Sequence, residues 1–249
     1  MEARRLASEL HVQFTKGSEA ANRAVMADTD EASAAAADEA RRATQTVEQT
    51  IETLRGTLQS LGYTGDAQLV DAFGKRFAEY RQLDDEILPL AVENTNLKAQ
   101  QLSFGPGREA AEAFGHALDR VVKTGRVAEP TAARARIAVL EIQVLQAPHI
   151  AESDDAAMTR MEARMSELVR TARQDLAELR GAPHYADAVA QLDRFVAINQ
   201  EIVKLSRRNS NVRSLALSLG RKRTVTAECE DQLRALEQAI AKHEFSATR

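Results

Sequence analysis

Apolar residues recur along this chain at alternating steps of three and four, the spacing that lines up side chains on one stripe of an α-helix. Val47, Ile51, Leu54, Leu58 and Leu61 keep the rhythm without error, as do Met158, Met161, Met165, Leu168, Ala172, Leu176 and Leu179. Strong punctuation falls at Gly62-Tyr63-Thr64-Gly65, Gly105-Pro106-Gly107, Gly125 through Pro130, and Gly181-Ala182-Pro183. Weaker breaks fall at Gly17-Ser18, Asp28-Thr29-Asp30, Asn94-Thr95-Asn96 and before Pro148. Nothing between positions 1 and 61 forces a stop, so the pattern predicts one helix there, roughly 90 Å long at about 1.5 Å per residue. A second long helix is predicted over 131–179, kinked where Pro148 removes a backbone donor. Two shorter helices follow each long one, at 66–93 and 97–123 and again at 185–208 and 212–243.

The second half of the chain repeats the first. At a shift of 115, Glu86-Ile87 falls on Glu201-Ile202, Asn94-Thr95-Asn96 on Asn209-Ser210-Asn211, and Leu102-Ser103-Phe104-Gly105 on Leu217-Ser218-Leu219-Gly220. Upstream, Leu54-Arg55-Gly56 meets Leu179-Arg180-Gly181 at a shift of 125, so the second copy lacks ten residues in the connection between. A period this long reads as one helical unit used twice. The short-helix boundary is placed at the Asn turn, which serves both copies, whereas Gly220 has no proline beside it. Pro106 must then bend the helix that contains it.

These lengths predict an all-α fold of six helices, as two stacked four-helix modules sharing two long helices. A distal module would take 29–153, and a proximal one 1–28 plus 154–249. The rival layout is two separate four-helix bundles in series.

Composition agrees with helix: aromatics are 4%, tryptophan is absent, and proline numbers 5 in 249 residues. A net charge of −4 without a basic block speaks against nucleic acid. The single Cys229 excludes an internal disulfide framework, and no run of 18 apolar residues is present.

Enzyme chemistry finds no foothold. There is no glycine-rich phosphate loop, no nucleophile elbow and no His-Glu-x-x-His, and the five histidines lack metal-ligand spacing. The expectation is therefore a non-enzyme without a cofactor. His149 followed by Met158, Met161 and Met165 offers haem or copper ligands on paper, though the stepping of the methionines already explains them as core. The repeated Asn-x-Asn, with Lys98 or Arg213 two positions on, reads as a cap or as amides and a cation facing a ligand carboxylate. The run Arg207-Arg208, Arg213, Arg221-Lys222-Arg223 reads mainly as a solvated face.

With Ile87-Leu88-Pro89-Leu90-Ala91 leading into Asn94-Thr95-Asn96-Leu97-Lys98-Ala99 and Leu102-Ser103, the chain resembles the extracytoplasmic sensor region of bacterial methyl-accepting chemotaxis receptors, in its helical bimodular form. The resemblance covers nearly the whole chain and implies a periplasmic sensor region of an inner-membrane protein, with membrane helices flanking it. It also implies a small-molecule ligand, an organic acid or amino acid, and a homodimer. Candidate contacts are Asn94, Asn96, Lys98 and Arg134 for the distal module and His149, Asn209, Asn211 and Arg213 for the proximal one. The alternatives are a helical scaffold or a haem- or copper-binding bundle.

Overall fold

The computed structural model describes residues 1–125 and 129–246, and every regular element among them is helical, as the apolar rhythm requires. In order these are α1 (Glu2–Met26), α2 (Asp30–Ser60), α3 (Thr64–Glu93), α4 (Thr95–Leu102), α5 (Arg108–Gly125), α6 (Glu129–Ala151), α7 (Asp155–Glu178), α8 (Tyr185–Arg208), α9 (Ser210–Leu217) and α10 (Arg223–Ser246). A π-helical turn, Ser103–Gly107, joins α4 to α5, and another, Ser218–Lys222, joins α9 to α10.

The two unbroken rods are a correction. Met26 is followed by an extended Ala27, and Thr29 then caps α2 by accepting from the Ala32 amide at 3.1 Å. Asp154 caps α7 in the same way, accepting from the Ala156 amide at 2.8 Å. Neither break uses glycine or proline; at each, a polar side chain folded onto an amide starts the next helix. Each expected rod is instead a hairpin: α1 packs along α2, and α6 along α7. Small residues let the first pair close up. Gly17 leaves room where a Cβ would lie 3.4 Å from that of Ala43, and Ala20, Ala37 and Ala40 are fully buried.

The module boundaries change with the rods. The compact units are 1–94 with 213–249, and 95–212, rather than 29–153 against the remainder. Unit 1 is a four-helix bundle of α1, α2, α3 and α10, with a core that includes Leu10, Phe14, Leu54, Phe73 and Leu233. Unit 2 bundles α5, α6, α7 and α8 around Phe114, Leu118, Ile142, Leu168 and Phe195. The shift of 115 maps α3 onto α8, the first π turn onto the second, and α5 onto α10. The last helix of each sequence copy thus lies in the bundle built by the other copy.

The Asn boundary stands. Asn94 and Asn209 end α3 and α8 in the left-handed region, at φ 51° and 55°. Gly105-Pro106-Gly107 breaks nothing, because the wider π turn absorbs the missing proline donor. A Cβ on Gly107 would meet the Leu102 carbonyl at 2.9 Å, so glycine is needed there. No helix among the described residues is long and apolar enough to cross a membrane.

Gly17→Leu should loosen the α1–α2 hairpin by about 1–3 kcal/mol, since a branched side chain there must displace α2. A lowered urea midpoint would show it; an unchanged midpoint would mean that Gly17 does not face Ala43.

Candidate functional site

Four of the eight anticipated residues, Asn94, Asn96, Asn209 and Asn211, serve equivalent turns, and the last three lie together in unit 2. The Thr95 amide donates to Ser210 Oγ and the Ser210 amide to Thr95 Oγ1, both at 3.0 Å. The Asn96 amide donates to Asn211 Oδ1 and the Asn211 amide to Asn96 Oδ1, both at 3.1 Å. Every partner is 115 positions away, so equivalent residues cap one another reciprocally. The Asn96 side-chain amide also donates to Asn209 Oδ1 and to the Ile150 carbonyl, each at 2.7 Å. Asn209 Nδ2 donates to the Glu152 carbonyl at 2.7 Å, in the α6–α7 turn. Asn94 does the corresponding job in unit 1, donating to Asp30 Oδ1 at 3.0 Å beside the α1–α2 turn. These amides spend themselves on helix starts and turns. Placing Asn96 and Asn211 in different modules is therefore corrected, because they bond directly.

The remaining candidates scatter. Arg134 binds Asp175 Oδ1 through Nε at 3.0 Å and Nη2 at 2.7 Å, an ion pair between α6 and α7. Lys98 is half-buried and Arg213 is exposed. His149 is fully buried, with Nδ1 2.8 Å from Ser206 Oγ and Nε2 2.9 Å from Glu162 Oε1. Both ring nitrogens are engaged, so neither can reach haem iron or copper without breaking a buried hydrogen bond. Met158 and Met165 are buried in the bundle. No cluster of three potential His, Cys, Asp or Glu metal ligands occurs among the described residues. Hydrogen bonding by Arg207, and less by His149, holds the Glu162 carboxyl below its ordinary 4.5 against the opposing effect of burial.

A site of different character lies in unit 1. The Lys222 ammonium, only 2% exposed, pairs with Asp84 and sits 5.0 Å above the centre of the Tyr80 ring. The second π turn delivers Lys222 inward, and Gly220 within that turn departs from helical geometry at φ −85°, ψ −117°. Below lies an aromatic block in which Phe14 meets Phe73 and Tyr80 edge-on at 5.9 and 5.2 Å. Burial raises the pKa of Asp84 above its ordinary value, although Lys222 opposes this, and burial pushes Tyr80 well above 10. The Tyr80 hydroxyl interacts with the side chains of Asp84 and Ser18.

Lys222 is also part of the wall of a cleft of about 400 Å³. Ser18, Asn22 and Ser218 add neutral polar groups; Arg223 and Glu230 bring one charge of each sign; Met26 and Leu219 are exposed apolar residues beside them. At the equivalent positions of unit 2 the sequence has Gly107 for Lys222 and Asn199 for Asp84. There Ser103, Gln146 and Asn199 form a buried chain at 2.7 and 2.9 Å. The charged pair thus belongs to unit 1.

Sequence reading missed this pair, yet the signal was present. Asp84 continues the stripe Phe73, Phe77, Tyr80, Asp84, Ile87, and Lys222 continues Ser218, Lys222, Val225, Cys229, Leu233. Two opposite charges in core register on two helices announce a buried pair. No family model matches the chain, and no curated protein matches it in sequence.

Lys222→Met alone should cost about 3–5 kcal/mol, because it strands a buried carboxylate, while Lys222→Met with Asp84→Leu should recover much of the loss. Urea unfolding of both variants measures this, and equal losses would deny the coupling. A depressed carboxyl pKa stabilises above the unfolded value and ceases to as pH falls through the folded one. The stability gap between Glu162 and Glu162→Gln should therefore be full at pH 7 and close as pH drops below 4.5. A gap that widens in acid would reverse the assignment.

Proposed function

We propose that this chain is the ligand-binding sensor region of a chemoreceptor-type transmembrane signal transducer. It lies outside the cytoplasm, in the periplasm, and takes a small organic acid or amino acid in the unit 1 bundle without catalysing a reaction. The observation that carries the reading is Lys222, a buried ammonium at the wall of a solvent-connected cleft.

The chemistry supports a carboxylate ligand. An ammonium has three donors, and Asp84 takes at least one, so others can be directed to a ligand oxygen. Arg223 stands along the same wall to make a second charge-assisted bond, while Asn22, Ser18 and Ser218 suit hydroxyl or carbonyl groups. Glu230 offers an acceptor for the ammonium of an amino acid. A few convergent polar groups with apolar neighbours are the usual composition of a small-molecule site.

Transmission follows from where Lys222 sits. A carboxylate drawing on its ammonium competes with Asp84 on α3, and the non-helical Gly220 gives the π turn a place to readjust. Two packings of α10 against α1 and α3 that differ in ligand affinity would have their populations shifted by that difference, typically ~1–3 kcal/mol.

Organic acids and amino acids should be screened by thermal shift on the whole chain, followed by calorimetry on the hits. Removing a charge-assisted bond costs about 1.5–3 kcal/mol, so Arg223→Gln should weaken binding tenfold or more. Arg223 is exposed, and its replacement should leave the fold intact. A hit whose affinity is unchanged by both Arg223→Gln and the Lys222→Met/Asp84→Leu pair would reject this cleft, and a panel without hits would reject the ligand class.

A further inference from the structure

The charges around the unit 1 cleft already balance. Lys222 is matched by Asp84, both almost wholly buried, and Arg223 stands with Glu230 along the wall. An arriving carboxylate adds one negative charge beside a buried pair. An uncompensated charge out of water is costly, and a buried acid relieves it by taking a proton.

Asp84 is the acid in position to do so. Burial, the larger influence, already raises its pKa above the ordinary value, and the Lys222 ammonium opposes that rise without cancelling it. A ligand carboxylate that draws the ammonium away removes the opposition and leaves the burial. The other titratable groups around Asp84 are worse placed. Tyr80 on α3 lies well above 10 and Cys229 on α10 at about 12, so both are neutral already. Glu230 is part-exposed and 3.9 Å from Arg234, and Arg223 is exposed. On the π turn, Arg221 is bound to Glu79, which also holds Arg76. From α2, Glu48 pairs with Arg81, and Asp85 faces that groove with them. Helix α1 brings Ser18 and Asn22, which do not titrate, and no histidine lines the cleft.

We propose that this cleft takes up a carboxylate together with one proton, and that Asp84 binds the proton. The inference rests on the reading of the cleft as a carboxylate site and gives that site a second ligand. In the exchange Lys222 keeps its three protons and turns from Asp84 to the incoming oxygen. Solvent supplies the proton, and the O–H bond formed on Asp84 is the one covalent change. That O–H lies beside the Tyr80 hydroxyl, whose oxygen can accept it. The net buried charge is the same before and after. Unit 2 lacks the device, having Asn199 and Gly107 at the equivalent positions.

An acid whose pKa is higher in the bound state favours binding at low pH, and the advantage is lost as pH rises. Acetate, which stays ionised between pH 6 and pH 8, is the probe, titrated into the full chain and followed by NMR. Its affinity should fall about tenfold per pH unit over that range, and at pH 7 saturation should move the Asp84 carboxyl carbon signal from its ionised to its protonated position. Asp84→Asn, neutral at every pH, should bind acetate equally at pH 6 and pH 8. The carboxyl signal is read on the wild type, so the test does not hang on the folding of that variant. Acetate that binds equally at both pH values to the wild type, or with Asp84 still ionised, overturns proton uptake and leaves the carboxylate site standing. A pH dependence that persists in Asp84→Asn places the proton elsewhere and overturns the assignment. Acetate that shifts no resonance of the cleft at either pH rejects the carboxylate site itself.

Discussion

The structure depends on one constraint, the reciprocal capping of two helix starts by each other's side chains. After a left-handed asparagine, each chain segment opens a new helix whose first amides lack partners within the helix. Thr95 and Asn96 supply acceptors to Ser210 and Asn211, and receive the same in return. Thr95, Asn96 and Ser210 are buried, so a missing acceptor there would leave an amide unsatisfied at about 1–3 kcal/mol. Asn94 and Asn209 then tie the ends of α3 and α8 to neighbouring hairpin turns. Those few bonds fix where α4 and α9 begin, and hence which bundle α5 and α10 complete.

The two bundles differ in chemistry at positions 115 residues apart. Both place a π turn at mid-bundle, where a helix that carries one extra residue per turn turns a polar group inward. In unit 2 the result is a neutral chain of Ser103, Gln146 and Asn199 with hydrogen bonds satisfied along its length. In unit 1 it is Lys222 against Asp84 beneath a cleft, with the Tyr80 hydroxyl beside Asp84. A satisfied neutral layer specifies packing; a buried pair with spare donors and an opening to solvent can respond to a ligand.

Much of this was legible in the chain. The apolar stripes located α3 and α8 almost to the residue, and the Asn-x-Asn turn was recognised as a boundary because asparagine is a poor interior helix residue and a good cap. The hairpins at Asp28-Thr29-Asp30 and after Ala151 were not legible in the same way. Their stop signal is a threonine or aspartate side chain folded onto an amide, which in sequence resembles any polar helix surface. The stripe also tells which face of a helix is buried but not against which neighbour. For that reason the placement of α10 with α1, and α5 with α6, could not be read from the apolar spacing alone. Arg213 and Lys98 drew attention as cations next to the asparagines, while the cation in core register, Lys222, lay hidden in a run that looked solvated. His149 drew attention by its methionine neighbours, and is instead consumed by Ser206 and Glu162.

The partnering of last helices is tested most directly by short-reagent thiol cross-linking between paired cysteines, with buried Cys229 silent. Arg76 on α3 forms an ion pair with Glu228 on α10 at 2.9 Å, and the residue equivalent to Glu228 at the shift of 115 is Ala113 on α5. Arg76→Cys with Glu228→Cys should link rapidly within one chain, and Arg76→Cys with Ala113→Cys should not. The opposite outcome would place α5 in the first bundle and contradict the exchange of last helices.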